Sequence, residues 1–362
     1  MTMHRLLSTG GSGRFMSGSL AALLCLALAA GCGSDDAELN GEVGGTDAEA
    51  AGIPFDPLSE TTTLKVGISS AVEPFASVLL AEELGEFARE NIAIEFVTAP
   101  PADLLPMLGS GAVDVISASL SAATMNAVSS GVEIKAVAPL YYKSGGKDGL
   151  WIAERHKDCA PACLKGGKIA SAAGPGTGTL LPMAKYLETG GVDITDVEVV
   201  TFATADAPLA LESGAVDAAW LLSPAYKGVE EDGVAKFVQS QFPGQGGFYW
   251  FGPSLLDKNR EAGLAFVRAI ARTNRHYLQG NYKADDDTVK ALAAAEGVPE
   301  KAAGAGESYV FSPDLEFDVN VFQPLQKEWM KFGDTVVDYD EPLTAADVVD
   351  GSFIEEATGW TP

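Results

Sequence analysis

The side chains best suited to meet a ligand in this 362-residue chain are hydroxyls and aromatics at the ends of predicted strands. Ser69, Ser70, Glu73 and Phe75 follow the first apolar run, and Ser117 and Ser119 follow the third. Thr177 and Thr179 close Gly174-Pro-Gly-Thr-Gly-Thr179, a small-residue loop that opens a helix. Tyr141 ends a fourth strand, Ser223 follows Trp220, and Tyr249 sits within Phe248-Tyr-Trp-Phe251. Hydroxyls together with the free N–H groups of helix starts make a neutral, donor-rich cleft. Such a cleft suits a carboxylate, sulfonate or phosphate, or a neutral polar ring, on which aromatic side chains can stack. Plainer roles stand beside these. Ser69, Ser119, Thr177 and Thr179 could simply cap helices. The aromatics could fill cores, and Glu73 could cap the helix after it rather than meet a cationic amine. The glycine-rich loop lacks the lysine and the spacing of a nucleotide-binding loop. Beyond the N-terminal segment the histidines are His156 and His276, and no Ser-His-Asp arrangement follows from their spacing. Catalytic residues, cofactors and metals are therefore not expected. Cys159 and Cys163 have only His156 near them, and a zinc site needs four ligands.

Positioning those residues takes two α/β lobes. The stretch Ser110-Gly-Ala-Val-Asp114 recurs as Ser213-Gly-Ala-Val-Asp217, each copy between a helical pattern and a short apolar run. Periodicity predicts strands over 64–69, 92–97, 113–117 and 134–142, with helices over 75–90, 103–108 and 119–130 between them. The order restarts with strands over 168–171, 197–202, 217–222 and 236–239 and helices over 180–188 and 207–212. Runs 149–153 and 248–251 read as strands crossing between lobes, and helices follow over 264–280, 287–296 and 315–332. The expected fold is α/β, two lobes, each a mostly parallel sheet flanked by helices. A two-lobed protein holds its ligand in the groove between lobes.

The N-terminus adds a compartment. Arg5 and Arg14 precede an uncharged apolar run, Leu20 to Ala30, too short to span a membrane. Ala29-Ala30-Gly31-Cys32 resembles a bacterial lipobox, with Leu28 one place early. That resemblance implies lipidation of Cys32 and an extracytoplasmic protein anchored to a bacterial membrane. In an oxidising compartment Cys159 and Cys163 form a local disulfide. The organisation is then signal peptide 1–32, acidic flexible tether 33–62, first lobe 63–150, second lobe 151–246, and completion of the first lobe with C-terminal helices over 247–362. The formal net charge of −26 excludes nucleic acid as a partner.

Leu64-Lys-Val-Gly-Ile68, Leu84-Gly-Glu-Phe87, Ile94-Glu-Phe-Val97, both repeat copies and Val348-Val-Asp-Gly-Ser-Phe-Ile-Glu-Glu-Ala357 carry a family resemblance. The chain resembles the solute-binding lipoproteins of ABC transporters, in the branch that includes nitrate-, sulfonate-, taurine- and thiamine-precursor-binding proteins. The resemblance implies a two-lobed type II periplasmic-binding-protein fold and delivery of the ligand to a permease and ATPase. The aromatic content points to a small organic solute, such as a pyrimidine or a sulfonate, over nitrate, and a monomer is expected. It places Trp220 and Tyr249 at cleft walls. Two other functions stay open: a small-molecule enzyme on the same fold, like those of menaquinone synthesis or the yeast-type pyrimidine synthase, and a lipoprotein that senses solute without transporting it.

Overall fold

The computed structural model describes residues 52–360 except 204 and 224. The predicted signal peptide, Cys32 and the tether up to residue 51 lie outside the described residues. The first half runs β1 (Thr62–Ile68), α1 (Ala76–Glu83), β2 (Ile92–Thr98), α2 (Pro101–Ser110), β3 (Val115–Ala118), α3 (Ala122–Ser129) and β4 (Lys135–Pro139). After β5 (Gly149–Ala153) the order restarts as β6 (Lys168–Ser171), α4 (Leu180–Glu188), β7 (Glu198–Thr201), α5 (Ala207–Ser213), β8 (Ala218–Leu221), α6 (Ala225–Glu231) and β9 (Ala235–Ser240). The chain ends with β10 (Phe248–Phe251), α7 (Arg260–Tyr277), α8 (Asp286–Glu296), α9 (Glu300–Ala303), α10 (Phe322–Met330), α11 (Ala345–Val348) and α12 (Ser352–Thr358).

These strands form two five-stranded sheets, ordered β2-β1-β3-β10-β4 and β7-β6-β8-β5-β9. In the first, β1 pairs in parallel with β2 and β3, while β10 lies antiparallel between β3 and β4. In the second, β6 pairs in parallel with β7 and β8, while β5 lies antiparallel between β8 and β9. Each sheet thus receives its one reversed strand from a crossing segment. This is the expected two-lobed α/β architecture, with the sheets mixed.

The repeated five residues do the same work in both sheets. Gly111 and Gly214 end α2 and α5 in the left-handed conformation, at φ 74° and 76°, which a glycine adopts without strain. Val113 and Val216 are buried. The last residue clamps a neighbouring strand. Asp114 Oδ2 accepts the Lys65 N–H at 2.8 Å, and Asp217 Oδ2 accepts the Lys168 N–H at 2.8 Å. The clamps fix where β3 and β8 start, and so where their carboxyl ends arrive.

Three differences from the expected elements have local causes. The first helix ends at Glu83 instead of residue 90 because Gly85 turns at φ 74°. The helix expected from 315 begins at Phe322, since Leu315 takes φ 56°, which no α-helix allows. Helix α6 buries only Tyr226 and Val229, too few apolar positions to give a periodic signal.

The segment read as flexible tether also ends earlier than 62. Ile53 is 1% exposed and packs into the core beneath β1. Arg268 donates to the Asp56 carbonyl at 2.5 Å and Arg272 to the Pro54 carbonyl at 3.4 Å. The Arg272 guanidinium also lies 4.1 Å from the centroid of the Phe55 ring. Two arginines of α7 therefore bind these residues to the globule. Both also enter a buried ionic cluster: Arg272 meets Glu86 at 2.8 Å and Glu90 at 2.6 Å, and Arg268 meets Glu90 at 2.7 Å.

Candidate functional site

A cavity of about 140 Å³ lies where the carboxyl ends of the two sheets meet. Ser119 and Leu120 enter it from the end of β3, and Tyr141 from beyond β4. Ser171 enters from the end of β6 and Ala172, Thr177, Gly178 and Thr179 from the β6–α4 loop, with Trp220 from β8 and Leu222 just after it. Gln241 and Gln245 come from the segment between β9 and β10. This is where open α/β sheets present ligand groups. A larger depression of about 570 Å³ lies between α2 and α3, but it is open to solvent and has Ser130 and Glu133 as its polar side chains. Without convergent polar groups it is the weaker candidate.

Local chemistry holds the lining in place. Ser121, not Ser119, caps α3, in a capping box with Thr124. The Ser119 hydroxyl is thus not the cap. Thr177 and Thr179 share a hydrogen bond at 3.0 Å, and the Thr177 carbonyl accepts from Trp329 Nε1 at 2.9 Å, which ties the loop to α10. Gly178 has to be glycine: a Cβ there would lie 2.4 Å from the Leu120 carbonyl oxygen, where the two lobes touch. The Tyr141 hydroxyl donates to Gln241 Oε1 at 3.1 Å, and Gln241 Nε2 donates to the Gln245 carbonyl. Burial, followed by nearby Asp148, raises the Tyr141 pKa and keeps its proton. Gln245 is 2% exposed and donates through Nε2 to the Gly178 carbonyl at 2.8 Å. That bond fixes the amide, and Gln245 Oε1 has no partner among the described residues. Every residue lining the cavity is uncharged.

The structure brings five of the twelve expected ligand residues to this cavity: Ser119, Tyr141, Thr177, Thr179 and Trp220. The other seven lie elsewhere. Ser69 and Ser70 are exposed beyond β1, Phe75 is buried in the first lobe, and Ser117 is buried within β3. Glu73 meets Lys283 Nζ at 2.6 Å and accepts from the Tyr282 hydroxyl, so it faces α8 and its preceding turn. Ser223 is exposed and its N–H donates to Asp148 Oδ1 at 2.7 Å. Tyr249 is a correction to the expected cleft wall. Successive β10 residues alternate faces. Phe248 and Trp250 point one way, while Tyr249 packs fully buried against Phe266 on the other. Gln241, Gln245, Ser171 and Leu222 carried no expectation. For the two glutamines the one sequence signal is the polar stretch Gln239-Ser-Gln-Phe-Pro-Gly-Gln245 just before the return crossing.

Asp148 connects the lobes behind Tyr141. It is 1% exposed, accepts from Ser223 in the second lobe, and accepts from the Tyr309 hydroxyl. The Tyr309 ring meets that of Tyr141 edge-on at 5.0 Å. Burial raises the Asp148 pKa to about 6, against the lowering effect of its two hydrogen bonds. An acid whose folded pKa lies above its unfolded value binds more protons when folded. Its contribution therefore favours folding below about pH 4 and is lost as pH rises to about 6, with a span of about 3 kcal/mol. Urea unfolding across pH 4 to 7 should show Asp148→Asn gaining stability relative to wild type as pH rises. Parallel pH profiles for the two proteins would refute this.

Cys159 and Cys163 are joined, with a Cα–Cα separation of 5.5 Å. Among the described residues no helix is long and apolar enough to cross a membrane.

Two mixed sheets meeting at their carboxyl ends around a polar cavity define the two-lobed periplasmic-binding-protein fold. The family model described as NMT1/THI5 like matches residues 73–280, more than half of the chain. The chain belongs to that family. Among solved structures, the alkanesulfonate-binding protein SsuA from Xanthomonas axonopodis pv. citri, bound to MOPS, is 20% identical with a TM-score of 0.58, covering 80% of this chain and 99% of its own. The periplasmic nitrate-binding protein NrtA from Synechocystis PCC 6803 is 16% identical with a TM-score of 0.62, covering 84% of this chain and 90% of its own. The desulfurization enzyme DSZB is 14% identical with a TM-score of 0.55, covering 82% of this chain and 99% of its own. A comparison with curated proteins finds no match.

Proposed function

We propose that the protein is the extracytoplasmic, lipid-anchored receptor of an ABC importer. It binds a small organic solute between its two lobes and presents it to a permease and ATPase. The observation that carries this reading is the cavity itself, lined by Ser, Thr, Gln, Tyr, Trp and aliphatic side chains suited to recognise and enclose a ligand. The uncharged run Leu20 to Ala30 and Cys32 support the anchor.

The lining narrows the ligand. A cavity of about 140 Å³ holds a molecule near the size of one six-membered ring. Serine and threonine hydroxyls can donate to an acceptor group. Gln245 Oε1, with its amide fixed, can only accept, so a donor on the ligand belongs opposite it. A buried acceptor left unmet costs about 1–3 kcal/mol. Nitrate has no donor. An amino-substituted pyrimidine or other heteroaromatic, or an aminosulfonate, has one.

Thermal shift on unfolded and refolded protein tests both parts. An aminopyrimidine and an aminosulfonate are each offered at 100-fold excess over Kd, where binding raises the melting temperature by about 5 °C. At least one is expected to do so, with the compound recovered unchanged. Stabilisation by nitrate alone would reject the ligand class, and product formation would reject the receptor.

A further inference from the structure

At the end of the second sheet away from the cavity, beside the starts of β6 and β8, three metal-type donors meet. His156, Cys159 and Cys163 each offer one ligand atom, and these atoms lie within 4.8 Å of one another. The two sulfurs are joined in this structure. The histidine is held from behind: its Nε2 lies 2.7 Å from Asp217 Oδ1, and its Nδ1 lies 3.7 Å from Cys163 Sγ. Asp217 is the clamping residue of the second repeat copy. In the first copy the matching oxygen, Asp114 Oδ1, accepts from the Ser254 hydroxyl at 2.6 Å. The second clamp therefore carries a histidine where the first carries a serine, and Arg155 meets the same Asp217 oxygen at 2.9 Å.

This geometry has a chemical consequence. A carboxylate accepting from Nε2–H fixes the tautomer that leaves the Nδ1 lone pair facing the sulfurs, as in carboxylate–histidine–metal arrangements. Nitrogen and sulfur ligands on tetrahedral zinc stand about 3.6 Å apart, given bonds of about 2.05 and 2.3 Å. The 3.7 Å between His156 Nδ1 and Cys163 Sγ matches that spacing. With three protein ligands, the fourth position is open to water, as in open zinc sites.

We propose that His156, Cys159 and Cys163, once their disulfide is reduced, form a three-ligand site for a borderline-soft divalent cation such as Zn²⁺, oriented by Asp217. An external dithiol supplies the reduction. It is oxidised to its own disulfide and transfers two electrons and two protons to leave two cysteine thiols. Cys159 is exposed, so its sulfur is open to that attack. Metal binding then releases the two thiol protons as both sulfurs ligate as thiolates. The disulfide and the metal exclude each other, so occupancy reports the redox state of this loop.

The test titrates the full chain with Zn²⁺ against a chromophoric chelator, with and without a phosphine reductant, and repeats the titration with Co²⁺ to read thiolate charge-transfer bands. Reduced wild type should take up one equivalent, and oxidised wild type none at the same site. His156→Ala should weaken binding at least tenfold. The Cys159→Ser/Cys163→Ser double variant keeps the acidic surface of the −26 chain and so subtracts metal held by surface carboxylates. Reduced wild type that unfolds, or that binds no more zinc than this double variant, overturns the proposal. So does His156→Ala binding zinc as tightly as wild type.

Discussion

Arg272→Leu should lower the free energy of unfolding by about 3–5 kcal/mol. Arg272, Glu86 and Glu90 are fully buried, and Arg272 reaches both carboxylates. Without it, among the described residues Glu86 keeps Arg89 at 3.1 Å and Glu90 keeps Arg268 as cationic partners. Two buried carboxylates would then face a single buried guanidinium, which desolvation penalises heavily. The substitution also removes the Arg272 guanidinium from over Phe55 and the donor to Pro54, so the 53–58 segment loses part of its attachment to α7. Lys165→Ala supplies the contrast. Its partner Asp196 sits 3.1 Å away at the surface, and exposed pairs contribute about 1 kcal/mol or less. Urea unfolding of both variants decides it. Equal losses would mean that burial does not govern the value of these ion pairs.

Trp220→Ala should weaken binding of a ring-bearing ligand about 100-fold, or about 2.8 kcal/mol. Trp220 lines the cavity from β8, opposite Leu120 and the Thr177–Thr179 loop. Truncation removes one wall and its stacking surface, and the cavity fills with water. Trp220 also belongs to the core, so the alanine variant loses stability as well. Trp220→Phe keeps an aromatic wall and should bind within about tenfold of wild type. Calorimetric titration of variants with native circular dichroism separates the two effects. Wild-type affinity in Trp220→Ala would remove that side chain from the site.

How far the sequence reveals this depends on the range of each interaction. The strands were legible because apolar runs such as Leu64–Ile68 are local signals, and the repeated Ser-Gly-Ala-Val-Asp marked equivalent places in two sheets. The Thr177–Thr179 loop follows from a strand end, whose position is again local, whereas Trp220 as a cleft wall rests on the family resemblance. Tyr249 could not be oriented, because all four residues Phe248–Phe251 are apolar or aromatic and buried on both faces, so no alternation shows which way each points. Glu73 resembles a ligand-facing carboxylate until its partner Lys283 is known, far along the chain. Gln241 and Gln245 are amides in a connecting segment without periodicity. Ile53 and Phe55 look like stray apolar residues in an acidic stretch, and only the arginines of α7 give them a place.

The placement of β10 also sets an order of events during synthesis. All five strands of the second sheet, β5 to β9, come from one continuous stretch, Gly149–Ser240. The first sheet cannot close until β10 inserts between β3 and β4, so its early strands wait with open edges while more than a hundred residues emerge. On the ribosome the inserted lobe can therefore complete its sheet first, and the outer lobe closes around its ends afterwards. A chain that has emerged from the ribosome only as far as Ser240 would then carry one finished sheet and one lacking its reversed strand. In that interval, the unpaired edges of β3 and β4 are the stretch most exposed to pairing with another chain.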